Sequence, residues 1–232
     1  MGLIQLTDRI CYLPHDLEVD RPMLAYVRGD RFTLAIDAGY SARHVSDFYG
    51  ELEKTGLPRP TFTAITHWHY DHTFGMYALE SISIAQKRTN QFLTQQRELV
   101  KDPAYIYGLR QEDLHFRREY MEQDQVTVVC SDIEFEQELR LDLGGVTAQI
   151  FHTVAPHSED TVCIFVPEEH VLFLGDATSE DFFCNGYMDQ GKLEQLTTMV
   201  QETDCIFCVL SHCEPLKKEE LLVYLNTLRE HT

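Results

Sequence analysis

Basic residues are scarce in this sequence: 19 Lys and Arg stand against 38 Asp and Glu, a formal net charge of −19. Such a surface repels polyanions at long range, so neither nucleic acid nor an anionic membrane is expected as a partner. Long apolar runs are missing too. No stretch approaches the roughly 20 residues of a membrane span. No segment near Met1 joins basic residues, an apolar core and a cleavage site, and a cytoplasmic setting is expected. Low-complexity tracts and linkers are absent, so residues 1–232 read as one domain. The seven cysteines are odd in number and lie mostly in apolar runs, as reduced thiols do in a cytoplasmic protein. Cys205 and Cys208 fall in a strand-like run, where side chains three apart are expected to face opposite ways.

What is present alternates short apolar runs with turn residues. Arg9 to Leu13, Leu24 to Arg28 and Phe32 to Ile36 read as strands, followed by a helix capped by Ser41. Val45, Phe48, Tyr49 and Leu52 are spaced i, i+3, i+4, i+7 and form its buried stripe. A strand from Thr61 to Thr66, a short helix through Gly75 to Leu79 and a strand Ile82 to Ala85 continue the α/β rhythm. Residues 87–125 break it: charges are dense, and helical stretches at about 87–101 and 110–122 flank Asp102-Pro103. This is a helical insertion, suited to a lid or to a homodimer contact. Strands resume at Val126 to Cys130, Leu139 to Leu143, Val146 to His152, Thr161 to Val166 and Val171 to Leu174. A helix near Lys192 to Glu202, a strand Cys205 to Leu210 and a helix Leu216 to Arg229 close the chain. Each half runs strands then helix, which suggests two sheets face to face with helices outside.

Chemistry is concentrated in Thr66-His67-Trp68-His69-Tyr70-Asp71-His72. Residues two apart on an extended backbone point the same way, so His67 and His69 can converge on one ion. Asp71 and His72, in the following turn, can reach a second ion beside it. Imidazole nitrogen and carboxylate oxygen suit zinc, and iron or manganese can take the same donors. Three later residues of the same kinds stand at or between strand ends: His157, Asp176 after Val171-Leu-Phe-Leu-Gly175, and His212 after Cys208-Val-Leu-Ser211. Ligands there are held rigidly while their loops leave room for a substrate. Trp68, Tyr70, Phe74, Phe182, Phe183 and Tyr187 are candidate pocket walls. His15, His44, His115, His152, His170 and His231 find no partners and are expected to face solvent.

Five motifs in this order resemble the metallo-β-lactamase superfamily: Asp37 in Ile36-Asp37-Ala38-Gly39, the His67/His69/Asp71/His72 cluster, His157, Asp176 in Gly175-Asp176-Ala177, and His212. The ligand set is most like that of glyoxalase II-like and lactonase-like members. The resemblance implies an αββα sandwich of two mixed β-sheets with outer helices. It implies that His67, His69 and His157 hold one ion, that Asp71, His72 and His212 hold another, and that Asp176 bridges them. Asp37 would fix a ligand imidazole. Two zinc ions sharing a water lower its pKa toward neutrality, and the bridging hydroxide attacks a carbonyl, with Asp71 orienting it. The expected reaction is hydrolysis of an ester, thioester or lactone of a small metabolite. Two alternatives use the same fold: a mononuclear iron dioxygenase acting on a persulfide, and a phosphodiesterase.

Overall fold

A computed structural model describes residues 2–121 and 125–230. Residues 122–124, inside the span expected for the insertion, and His231 lie outside the described residues. The first half runs β1 (Ile4–Gln5), β2 (Ile10–Leu13), β3 (Leu24–Arg28), β4 (Thr33–Ile36), α1 (Ala42–Lys54), β5 (Phe62–Ala64), the single-turn α2 (Tyr70–Thr73) and β6 (Ile82–Gln86). The stretch expected to be an insertion supplies α3 (Lys87–Leu99), α4 (Pro103–Glu112) and α5 (Leu114–Glu119). After it come β7 (Ile133–Phe135), β8 (Glu138–Asp142), β9 (Thr147–His152), β10 (Val162–Val166) and β11 (Val171–Gly175). The chain closes with α6 (Gln190–Glu202), β12 (Phe207–Leu210), β13 (Leu216–Lys217) and α7 (Lys218–Glu230).

The first sheet has the order β1-β2-β3-β4-β5-β6-β7 and the second β13-β12-β11-β10-β9-β8. Both are mixed: β4 to β7 run parallel beyond an antiparallel meander, and β11 pairs in parallel with β12 in an otherwise antiparallel sheet. Their inner faces meet in one apolar layer, with Ile10, Val27, Leu34 and Ile84 against Ile150, Val162, Ile164 and Phe173. Alternation along each strand turns the other side chains outward, and helices cover them. Val45, Phe48, Tyr49 and Leu52 of α1 pack on Leu24 and Tyr26. Leu193, Leu196 and Val200 of α6 and Leu221 and Leu225 of α7 pack on Leu172, Leu174 and Cys208. The molecule is the αββα sandwich the sequence implies. Among the described residues no helix is long and apolar enough to cross a membrane.

Several local expectations are corrected. Val126 to Cys130 forms no strand and joins neither sheet; Val126 and Val128 are buried instead against Leu93, Ile106 and Phe116. The helix expected at 110–122 is two, because Asp113 ends α4 and caps α5 through His115 N and Phe116 N. Cys205 and Cys208 bring their sulfurs to 3.7 Å. Strand alternation does not govern them, since β12 begins only at Phe207. His44 is buried rather than solvent-facing, and its Nδ1 lies 3.3 Å from Tyr40 N as acceptor.

Candidate metal centre

One end of the sandwich gathers side chains from both sheets. β5 delivers His67 and His69 as it leaves the first sheet, and α2 turns Asp71 and His72 back toward them. From the second sheet come His157, between β9 and β10, Asp176 after β11, and His212 after β12. The two sets are stitched by backbone bonds, Val162 N to Thr66 O at 2.7 Å and Met23 N to Ser211 O at 2.7 Å. Strand β11 ends on Gly175 at φ +56°, where a Cβ would stand 2.8 Å from the Thr66 side chain. Only glycine makes that turn without strain, and the turn aims Asp176 at the histidines.

His67, His69 and His157 form one group with ligand atoms within 4.8 Å of one another; Asp71, His72, Asp176 and His212 form a second. In the first, His157 Nε2 is 3.2 Å from His67 Nε2 and 3.0 Å from His69 Nδ1. In the second, His72 Nε2 is 3.2 Å from Asp71 Oδ2 and 3.3 Å from Asp176 Oδ2. His212 Nε2 is 3.2 Å and 3.4 Å from the same two oxygens. Bonds of about 2.0–2.1 Å in a tetrahedron put ligand atoms roughly 3.3 Å apart. The spacing fits a cation in each group. Asp176 Oδ2 also lies 3.7 Å from His157 Nε2, where it can serve both.

Hydrogen bonds set which ring nitrogen points inward. His72 Nδ1 donates to Asp37 Oδ2 at 2.8 Å, and His157 Nδ1 donates to Glu180 O at 2.9 Å. His67 Nδ1 meets Thr66 Oγ1 at 3.1 Å, and that hydroxyl donates on to Asp37 at 2.9 Å. His72 Nε2, fully buried, has no well-aligned hydrogen-bond partner among the described residues and faces the Asp71 and Asp176 oxygens at 3.2 and 3.3 Å. A buried polar atom without a partner is costly unless something fills its site. A divalent cation does so.

Electrostatics agree. Burial keeps His67 uncharged far below its ordinary pKa, and burial takes His69 down to about 3, so both offer lone pairs. Burial also opposes charging His72 and His212, yet the surrounding carboxylates outweigh it and raise both pKa values. Asp71 and Asp176 are held well below the carboxylate range by those same imidazoles, against the effect of burial. A positive charge is wanted where the four meet.

The cluster floors a cavity of about 340 Å³. Phe182 and Phe183, 62% and 63% exposed, stand over it, with Phe183 4.9 Å from the His69 ring. Tyr70 forms a wall, and its hydroxyl donates to Asp113 of the insertion. Two candidate wall residues are corrected. Phe74 is 1% exposed and packs on Phe116 and Tyr120, because it leaves α2 on the core side. Tyr187 is exposed and does not line the cavity; it closes the loop through an Asp181–Tyr187 bridge. Trp68 backs the site, between Phe92 and Phe183. Sequence reasoning missed Asp20 and Ser179. Asp20 Oδ1 lies 3.2 Å from His212 Nδ1 and orients that ring.

A family model described as "Metallo-beta-lactamase superfamily" matches residues 24–183. The chain belongs to the metallo-β-lactamase superfamily. Among named relatives it is similar to the Homo sapiens acyl-coenzyme A thioesterase MBLAC2, at 24% identity over 175 residues, 68% of this chain. The chain spans only 58% of that protein's length. Among solved structures, a metallo-beta-lactamase from Pontibacter korlensis superposes with TM-score 0.67 at 15% identity, covering 100% of this chain and 99% of the other. The sec-alkylsulfatase Pisa1 from Pseudomonas sp. superposes with TM-score 0.71 at 14% identity, covering 99% of this chain and 41% of its own. These likenesses concern the fold.

Proposed function

We propose that this protein is a metal-dependent hydrolase of acyl thioesters and related esters, working with two zinc ions. The observation that carries the reading is the pair of ligand groups, three imidazoles beside two carboxylates and two imidazoles, at tetrahedral spacing beneath an open cavity. His67, His69 and His157 would hold one ion, Asp71, His72 and His212 the other, and Asp176 both. Ions so held supply Lewis acidity toward the substrate carbonyl and acidify water. The name of the human relative supports a thioester as the scissile group.

The chain's own residues supply the rest. Asp71, which lines the cavity at the ligand cluster, would accept a hydrogen bond from the attacking water and orient it. Phe182 and Phe183 give the cavity an apolar rim against which the substrate can rest. Tyr70 shapes the wall and is not a proton donor: its hydroxyl is committed to Asp113 and burial drives its pKa far up. His69→Ala and Asp176→Ala are expected to lose metal and thioesterase activity together. Full activity in either variant, or one iron per chain with oxygen consumption on a persulfide, would overturn the reading.

A further inference from the structure

Asp176, Ser179 and His212 line the centre's cavity on one side and a second cavity on the other. The second, about 370 Å³, runs from the ends of β11 and β12 toward α7. Away from its mouth its walls are Thr178, Leu210, Cys213, Leu216 and Tyr224, none of them charged. We propose that this cavity is the acyl-chain site of the substrate, an inference that rests on the hydrolase reading above.

The two cavities differ in the way the two parts of an acyl substrate differ. The first has a floor of imidazoles and carboxylates, suited to a polar, reacting carbonyl and its leaving group. The second is apolar from its polar mouth outward, suited to a hydrocarbon attached to that carbonyl. Its volume lies within the roughly 300–1,000 Å³ range of small-molecule sites. The two cavities share Asp176, Ser179 and His212, so a chain seated there has its carbonyl end beside two members of the ligand cluster. Tyr224, 44% exposed on α7, forms the outer end, beyond which a longer chain meets water.

Each methylene buried in such a site favours binding enough to raise kcat/KM about fourfold. With the zinc-loaded chain and acyl N-acetylcysteamine thioesters from acetyl to decanoyl, kcat/KM should rise with chain length and then level off once the cavity is full. Leu216→Glu and, on the helix surface, Tyr224→Lys should each lower the octanoyl-to-acetyl ratio at least about tenfold. That ratio is read within one preparation, so partial misfolding cancels. A second readout needs no catalysis: S-alkyl thioethers of N-acetylcysteamine should slow alkylation of Cys213 by iodoacetamide, more strongly as the alkyl chain grows. Turnover without chain-length dependence, or with dependence on the thiol instead of the acyl group, would overturn the acyl site and leave the hydrolase standing. Chain-length-dependent protection of Cys213 with no turnover of any thioester would support the site and overturn the hydrolase. Protection by no thioether of any length would overturn the site.

Discussion

Asp37 shows how much one side chain can organise. It is 2% exposed and sits at φ +63°, a conformation Asp and Asn tolerate and β-branched residues do not. One oxygen accepts from Thr66 N at 2.8 Å and the other from His72 Nδ1 at 2.8 Å. Asp37→Asn keeps the shape and turns one oxygen into a donor. A donor facing His72 Nδ1 forces the proton onto Nε2, the atom that would bind the ion. Metal affinity at the Asp71/His72/Asp176/His212 group should fall about 10–100-fold, and the histidine-only group should fall less, because the Thr66 hydroxyl beside His67 can still donate to the other Asp37 oxygen at 3.0 Å. Titration against a chromophoric chelator should show one site weakened more than the other; two intact sites would refute the role. Asp37 was legible in the sequence because its motif stands in fixed order before the histidines. Asp20 was not, because nothing local marks an aspartate that orients an imidazole far along the chain.

Asp160 joins three elements. Its buried carboxylate accepts from Thr89 Oγ1 of α3 at 2.8 Å and from Ser158 Oγ, beside His157, at 2.5 Å, and Trp68 N in the cluster loop also donates to it. Asp160→Ala leaves two buried hydroxyls short of an acceptor, at a cost of about 1–3 kcal/mol. Urea unfolding should show this as a lower midpoint with unchanged slope. The sign of the pH dependence follows from burial, which raises this carboxyl above its ordinary pKa. The folded state therefore holds the proton more tightly than the unfolded one. Stability from this group falls as pH rises from about 4 through the raised value, then levels. Asp160→Asn, which cannot ionise, should gain on the parent over that window; a pH-independent difference would contradict it. The insertion was legible as helices from its charges and its missing strand pattern. Its attachment was not, since Val126 and Val128 carry strand residues yet pack on helices. The edge strands β1 and β13, two residues each, are too short for any period to show.

At the scale of the molecule, both ligand groups draw on loops from each sheet or cross between them, so a bound ion clamps the two halves. Free metal at a hundredfold excess over Kd adds about 2.7 kcal/mol. For a chain of this size that is roughly 5–10 °C in Tm. Chelation should remove that increment and zinc restore it; a Tm indifferent to both would mean that the folded chain binds no ion at this cluster. The αββα order itself was legible, because strand alternation and helical stripes recur in both halves.

The same scale governs approach of the substrate. A net charge of −19 surrounds a cavity whose lining, among the described residues, includes no Lys or Arg. On the hydrolase reading proposed above, a coenzyme A thioester, carrying several phosphates, would meet that field before it reached the ligand cluster. At about 0.01 M salt the Debye length is roughly 30 Å and the whole molecule repels it; at about 0.15 M it is roughly 8 Å and only the local site is felt. For the zinc-loaded chain, kcat/KM on an acyl-coenzyme A should therefore rise several-fold between those two conditions, mostly as a faster encounter. A neutral N-acetylcysteamine thioester with the same acyl group should change by less than about twofold, because it feels no net force. Stopped-flow thiol release at the two salt concentrations measures both. A rate on acyl-coenzyme A that falls as salt is added would mean that a cationic patch near the mouth captures the phosphates, and the carrier would then be recognised by attraction. Parallel curves for the two substrates would mean that the field does not reach the cavity, and that the acidic surface serves solubility alone.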